Sequence, residues 1–97
     1  MLTVKLFRGH AIKIVEAEEV NVFPSGHAEG SEQDPRKRTN EVREIEVSTN
    51  NRTQGDAFYV ADPSKPRPEG YAECIEFYDS AYIENARGAT VEVVRPY

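Results

Sequence analysis

Apolar and polar side chains alternate along the first 24 residues, which is the pattern of half-buried β-strands. Val4 and Leu6 alternate with other residues, and Ile12 and Ile14 repeat the pattern after an Arg-Gly-His turn. The alternation resumes after an acidic run and stops at a proline, which cannot donate to a sheet. We expect a hairpin, followed by one long bent strand with a bulge near Ala17 or by two strands with a tight corner.

A polar segment, residues 26–40, contains no large apolar side chain. Nothing in it compensates for the entropy lost on ordering, so we expect a mobile loop. The segment carries a basic run, Arg36, Lys37 and Arg38, in an otherwise acidic chain. This run is a candidate contact for an acidic partner or for a nucleic-acid phosphate, although the same charges also serve to keep a loop solvated.

The C-terminal half predicts further strands. Residues 41–47 place Ile45 and Val47 on one face, and residues 56–61 are aromatic and β-branched. Residues 72–79 fit a strand by composition and a helix by tyrosine spacing, and we favour the strand. A final hairpin turns at Asn85–Gly88, where glycine supplies the positive φ of a short loop.

Six or seven short strands without a convincing helix predict one all-β domain over residues 1–97. We expect a small antiparallel barrel or sandwich, because a single open sheet would expose an apolar face. The exposed edges are expected at Val20–Phe23 and Thr90–Val94. The predicted inward side chains are Val4, Leu6, Ile12, Ile14, Val20, Val22, Ile45, Val47, Phe58, Val60, Ile75, Phe77, Ile83, Val91 and Val93.

The charge balance changes the functional picture. Acidic residues outnumber basic ones 17 to 12, which gives a net charge of −5, and direct nucleic-acid binding is therefore not expected. The mean hydropathy is −0.66, and no apolar run is long enough for a membrane span. No signal-peptide pattern follows Met1, and the single cysteine, Cys74, favours a reducing compartment. We therefore expect a cytoplasmic protein.

Catalytic and cofactor motifs are not found in the sequence. His10, His27 and Cys74 are too far apart for the short ligand spacing of a zinc site. No glycine-rich phosphate loop is present, and no serine or cysteine has the surroundings of an activated nucleophile. We expect no cofactor and no enzymatic activity, with carboxylate-based catalysis as the least favoured alternative.

All five tyrosines lie in the C-terminal half, beside several acidic residues, and tyrosine suits interfaces because it combines a rigid apolar ring with a polar tip. We expect a small binding protein that contacts a protein or a small ligand. The alternative is an acidic inhibitor that blocks a nucleic-acid-binding groove, as phage anti-restriction and anti-CRISPR proteins do. The candidate partner face comprises Glu69, Tyr71, Glu73, Glu76, Tyr78, Asp79, Tyr82 and Glu84.

Self-association is the last expectation from the sequence. The predicted core consists mostly of valine and isoleucine, and a thin core gains from apolar contact with a second subunit. The competing arrangement is a monomer in which the N- and C-terminal strands pair and close a barrel. The candidate oligomer-interface residues are Phe7, Phe23, Val94 and Tyr97.

Overall fold

The computed structural model describes residues 1–24, 42–49, 55–68 and 71–96. These residues form strands and no helix, so the all-β prediction is confirmed for the described part of the chain. The predicted mobile loop, residues 26–40, lies outside it. The eight strands are β1 (Leu2–Arg8), β2 (Ala11–Ala17), β3 (Glu19–Pro24), β4 (Arg43–Ser48), β5 (Gly55–Val60), β6 (Phe77–Tyr78), β7 (Ser80–Glu84) and β8 (Thr90–Val94).

The strands form two four-stranded sheets. Sheet A has the order β2-β1-β7-β8, and sheet B has the order β3-β4-β5-β6. Strand pairs are antiparallel except β5 with β6, where Tyr59 lies opposite Phe77 in a parallel pair. This pair corrects the expectation of an antiparallel fold, and the described residues alone contain eight strands where six or seven were expected. Among the described residues the pairings close no barrel.

Two chain segments connect the sheets through corners. The first is at Glu18, between β2 and β3, where the Glu18 N–H donates to the Ser48 carbonyl over 2.9 Å. The second is at Asp79, between β6 and β7, where the Asp79 N–H donates to the Phe7 carbonyl over 2.7 Å. Strands that switch sheets at bends are a recognised way to join two packed sheets. Of the two alternatives near Ala17, the structure has two strands with a tight corner.

The predicted edges are also confirmed within the described residues, since β3 and β8 each end a sheet. The N-terminal strand β1 pairs with β2 and β7, and the last described strand β8 pairs with β7. The two terminal strands therefore do not pair with each other. The competing monomer arrangement, in which these strands pair and close a barrel, is therefore not found among the described residues.

Both predicted hairpins are present. In the last one, the Asn85 side chain accepts the N–H groups of Arg87 and Ala89 at 2.9 and 3.1 Å, and Gly88 has a φ of 80°. In the first one, Gly9 has a φ of 57°. Glycine adopts these left-handed conformations without the steric cost that a Cβ would add.

One hydrophobic core is shared by the inner faces of both sheets, and Val20, Val22 and Phe58 pack against it half-buried. Sequence alternation predicts much of this core, including Val4 and Ile45. The buried members are Val4, Leu6, Ala17, Ile45, Val47, Val60, Tyr78, Ala81, Ile83 and Val94.

Strand β2 faces the opposite way from the prediction. Ile12 and Ile14 are 52% and 58% exposed, whereas Val15 is half-buried and Ala17 is buried. The reason is the register with β1, which places Val15 opposite the core residue Val4. Residues directly opposite in a sheet share a face, so the two isoleucines point away from the core.

Strand β8 differs from the prediction in the same way. Val91 and Val93 are 57% and 37% exposed, whereas Val94 is fully buried. The register with β7 is the reason, because it places Val94 opposite the buried Ala81 and Val93 opposite Tyr82, and residues directly opposite share a face. Val94 therefore belongs to the core and is wrong as an interface residue.

A second, smaller cluster lies on the outer face of sheet B. The buried ring of Tyr71 packs edge-to-face against Tyr59 at 5.4 Å and against Phe77 at 5.2 Å between centroids. Ile75 packs there half-buried. Within residues 72–79, regular strand before the corner is limited to Phe77–Tyr78, and the preceding residues form turns. The predicted strand is therefore shorter than expected.

Candidate interaction surface

Among the described residues, four of the five exposed large apolar side chains lie on the two edge strands of sheet A, namely Ile12, Ile14, Val91 and Val93. Lys5 in β1 lies opposite Ile14 of β2 and Tyr82 of β7, and Tyr82 lies opposite Val93 of β8. These four side chains form one row across the sheet, because cross-strand partners share a face. Ile14 and Val93 stand at the two edges of the row.

A second row runs beside the first. Phe7 lies opposite Ile12 and Ser80, and its ring meets the ring of Tyr82 edge-to-face at 5.4 Å. This contact fixes the two half-buried aromatic rings in the middle of the sheet. We define the sheet A outer face by the six larger side chains of the two rows, which are Lys5, Phe7, Ile12, Ile14, Tyr82 and Val93.

The charges around this face balance. Lys5 Nζ is 3.2 Å from Glu84 Oε1, and both side chains are partly shielded from water. Arg95 donates to the Tyr82 hydroxyl over 3.5 Å, and Glu16 is exposed on the same side of β2. Two cations and two anions therefore surround the apolar side chains, although the chain as a whole carries −5.

Two shallow clefts of about 440 and 450 Å³ adjoin at the Asp62-Pro63 turn and the Asp79 corner. Several of their charged groups contact other parts of the protein. Asp79 accepts the Gly9 N–H over 2.8 Å, and Arg8 is 3.3 Å from Glu76. These contacts hold the corner and the turn in place, and they point to no particular ligand.

The turn in the clefts is stabilised by its own side chains. Asp62 Oδ1 accepts the Ser64 hydroxyl at 2.7 Å and the Ser64 N–H at 2.9 Å. These two hydrogen bonds, the hydroxyl first, hold the pKa of the Asp62 carboxyl below its usual value. The Lys65 N–H donates to the Asp62 carbonyl over 3.2 Å, which closes a turn with proline at its second position.

Arg67 organises the second cluster. Its guanidinium donates to the carbonyls of Tyr71, Ala72 and Ile75 at 3.3, 2.5 and 3.3 Å. It also lies over the Phe77 ring at 5.2 Å from the centroid. A planar guanidinium can stack on a ring while its edge donates several hydrogen bonds. The geometry therefore gives Arg67 a structural role.

The structure does not unite the predicted partner face. Tyr71 and Tyr78 are buried in two different clusters, whereas Tyr82 is half-buried on the outer face of sheet A. Buried rings offer no contact area to a partner. The two buried tyrosines are therefore wrong as surface residues, and the aromatic and β-branched content that predicted a surface instead fills the interior.

The acids of that face are also dispersed. Glu76 is paired with Arg8, and Glu84 with Lys5. The Asp79 side chain stabilises the first hairpin, and Glu73 is exposed. Glu69 lies outside the described residues, as do Arg36, Lys37 and Arg38 of the predicted loop contact.

The predicted oligomer residues separate as well. Phe7 lies on the sheet A outer face, whereas Phe23, opposite Glu44, lies on the outer side of sheet B. Tyr97 lies outside the described residues. The sequence prediction did not identify the isoleucines and valines at the edges of sheet A as surface residues. Apolar side chains in both phases of β2, Ile14 as well as Val15, were the available signal.

Other chemistry is limited in the described part of the chain. It contains no group of three or more His, Cys, Asp or Glu side chains placed to hold a metal ion. It also has no helix that is long and apolar enough to cross a membrane. Cys74 is exposed.

Comparisons with protein-family models, with curated proteins and with solved structures find no match to this chain.

Proposed function

We propose that the protein acts by binding and that it docks a protein on the sheet A outer face. The observation that carries this proposal is the exposure of Ile12, Ile14 and Val93 on a face whose centre holds Phe7 and Tyr82. Isolated exposed apolar side chains are ordinary on protein surfaces, but a contiguous apolar patch is typical of an interaction site.

The composition of the face supports a protein as the occupant. Aromatic residues are enriched at interface centres, and Tyr82 adds a hydroxyl that bonds to Arg95. The face is the surface of a sheet and not an enclosed pocket, which suits another protein surface better than a small ligand. The acidic-inhibitor alternative has less support, since Glu76 and Glu84 of its predicted face are paired with cations.

We also propose that the two corners close the sheets into a sandwich with little freedom between its layers. Glu18 and Asp79 both place backbone hydrogen bonds at the corners. A rigid support of this kind lowers the entropy lost on binding, because the face does not have to be ordered first.

The test is a capture experiment with three immobilised proteins. Ile14→Lys places a charge in the middle of one apolar edge, and Asn21→Lys places the same charge on β3, the edge of the other sheet. Proteins from the native host should bind the wild type and Asn21→Lys and not Ile14→Lys. Binding that is equal for all three baits, or lost equally from both variants, would contradict the proposal.

A further inference from the structure

We infer that the sheet A outer face docks a second copy of the same chain in a two-fold symmetric dimer. This inference rests on the proposed function, because it names the partner of the same surface. In this dimer the contact is between the two stacked faces and not between sheet edges.

The distribution of charge over the surface favours a second copy of the chain as the partner. Two copies with a net charge of −5 each repel one another over most of their surfaces. The sheet A outer face is an exception, since the cations Lys5 and Arg95 balance the anions Glu16 and Glu84. A strongly basic partner would be attracted to the acidic remainder of the surface, whereas a like-charged copy meets least repulsion at this neutral face.

The arrangement of the two edges makes the face complementary to itself. Ile12 and Ile14 lie at the β2 edge, and Val91 and Val93 lie at the β8 edge. A two-fold axis between the faces and parallel to the strands places β2 of one copy over β8 of the other. Ile14 then faces Val93 of the second copy, and symmetry repeats the contact.

The size of the face sets the expected strength. Four strands about 4.8 Å apart and a seven-residue β1 cover roughly 19 by 20 Å, or about 400 Å² in projection. Stable complexes commonly bury about 800 Å² of accessible surface on each partner. The projected area of this face is about half of that value, so we expect a weak dimer that forms reversibly.

The test uses purified protein in sedimentation equilibrium. Ile14→Lys and Val93→Glu should each raise the dimer dissociation constant by about tenfold or more, because each buries an unpaired charge. The double variant should return to within about threefold of the wild type, since Lys at position 14 then faces Glu at position 93 of the second copy. Asn21→Lys should leave the constant unchanged. Circular dichroism confirms that each variant retains its strands.

Three results would overturn the inference. The wild type could remain at 10.9 kDa at all concentrations, the single variants could dimerise like the wild type, or the double variant could fail to recover. Monomeric wild type together with Ile14-dependent capture of another protein would overturn the second copy alone. A wild type that is monomeric and whose capture of other proteins does not depend on Ile14 would overturn the proposed function as well.

Discussion

At the scale of single residues, one exposed arginine holds together a part of the chain that has little regular structure. Arg67 donates to three carbonyls and stacks on Phe77. The segment that it organises positions Tyr71, the buried ring of the second cluster. A lysine has a point charge and no planar fork, so it cannot make the same set of contacts.

Replacing Arg67 by alanine or lysine should therefore lower the free energy of unfolding. We expect a loss of about 1–2 kcal/mol for Arg67→Ala, a value reduced from that of a buried charged hydrogen bond because the side chain is exposed. Arg67→Lys should recover less than half of this loss. Urea denaturation measures the change, with Arg87→Ala in the exposed β7–β8 turn as a control that stays near the wild type. A lysine variant as stable as the wild type would show that charge alone suffices.

A second prediction at this scale concerns Asp62. Its pKa is lowered first by the Ser64 hydroxyl and then by the Ser64 N–H. Ser64→Ala should raise the pKa toward the usual value of 3.8, because one of the two donors is lost. Ser64→Thr keeps the hydroxyl and should keep the lowered pKa. Carbon-detected NMR titration of the Asp62 carboxyl measures both.

The sign of the effect on stability follows from that direction. A lowered pKa in the folded protein means that the ionised Asp62 stabilises the fold above its unfolded-state pKa. This contribution is lost as the pH falls through the folded-state pKa, so the difference between the wild type and Ser64→Ala should disappear in strong acid. A difference that grew on acidification would contradict the assignment.

At the scale of strands, the sequence predicts where elements lie better than which way they face. Alternation locates β1, β2, β4 and β5 to within a few residues. It misassigns the faces of β2 and β8 because both sides of sheet A carry apolar side chains. Hydrophobicity marks a residue as apolar, and it does not distinguish burial in the core from exposure on the outer face of a sheet.

The sequence does not predict the tertiary features of the fold. The parallel pair β5–β6 depends on how the chain after Val60 folds back over sheet B, and the two-residue β6 has no periodicity of its own. The role of Arg67 depends on carbonyls four to eight residues away in a turn segment. The sheet A outer face requires the register of three strand pairs, which sequence alternation does not specify.

The register of β8 gives a direct prediction. Val94→Ala should lower the free energy of unfolding by about 2 kcal/mol, because it removes buried methyl groups and leaves a cavity. Val93→Ala should change it by less than about 0.5 kcal/mol when the measurement is made at a concentration where the protein is monomeric. Thermal or urea unfolding of both variants tests whether Val94 or Val93 faces the core. A larger loss of stability for Val93→Ala than for Val94→Ala would contradict the structure.

At the scale of the whole molecule, the two sheets present different surfaces. Sheet A carries a neutral, apolar outer face, whereas the acidic Glu44 and Glu46 of β4 lie on the outer side of sheet B. In the proposed dimer, apolar contact at the sheet A outer face favours association, whereas the net charge of −5 on each copy opposes it. The balance between these two effects depends on ionic strength.

Added salt should consequently strengthen self-association. Raising sodium chloride from about 0.05 M to about 0.5 M shortens the range of repulsion between two acidic copies, while apolar contact is retained. Sedimentation equilibrium should show a lower dimer dissociation constant at the higher concentration. If salt instead dissociated the dimer, attractive ion pairs would hold it, and the neutral-face argument would fail.

The most direct measurement of the sheet A outer face as a protein contact surface is methyl NMR of the isoleucines during dilution. Ile12 and Ile14 lie on the face, Ile45 and Ile83 are buried in the core, and Ile75 belongs to the cluster on sheet B. From micromolar to millimolar concentration, the δ1 methyl signals of Ile12 and Ile14 should shift together along one binding curve, while those of Ile45, Ile75 and Ile83 stay in place. Signals of Ile12 and Ile14 that do not move, or a shift confined to Ile75, would contradict this surface as the site of contact.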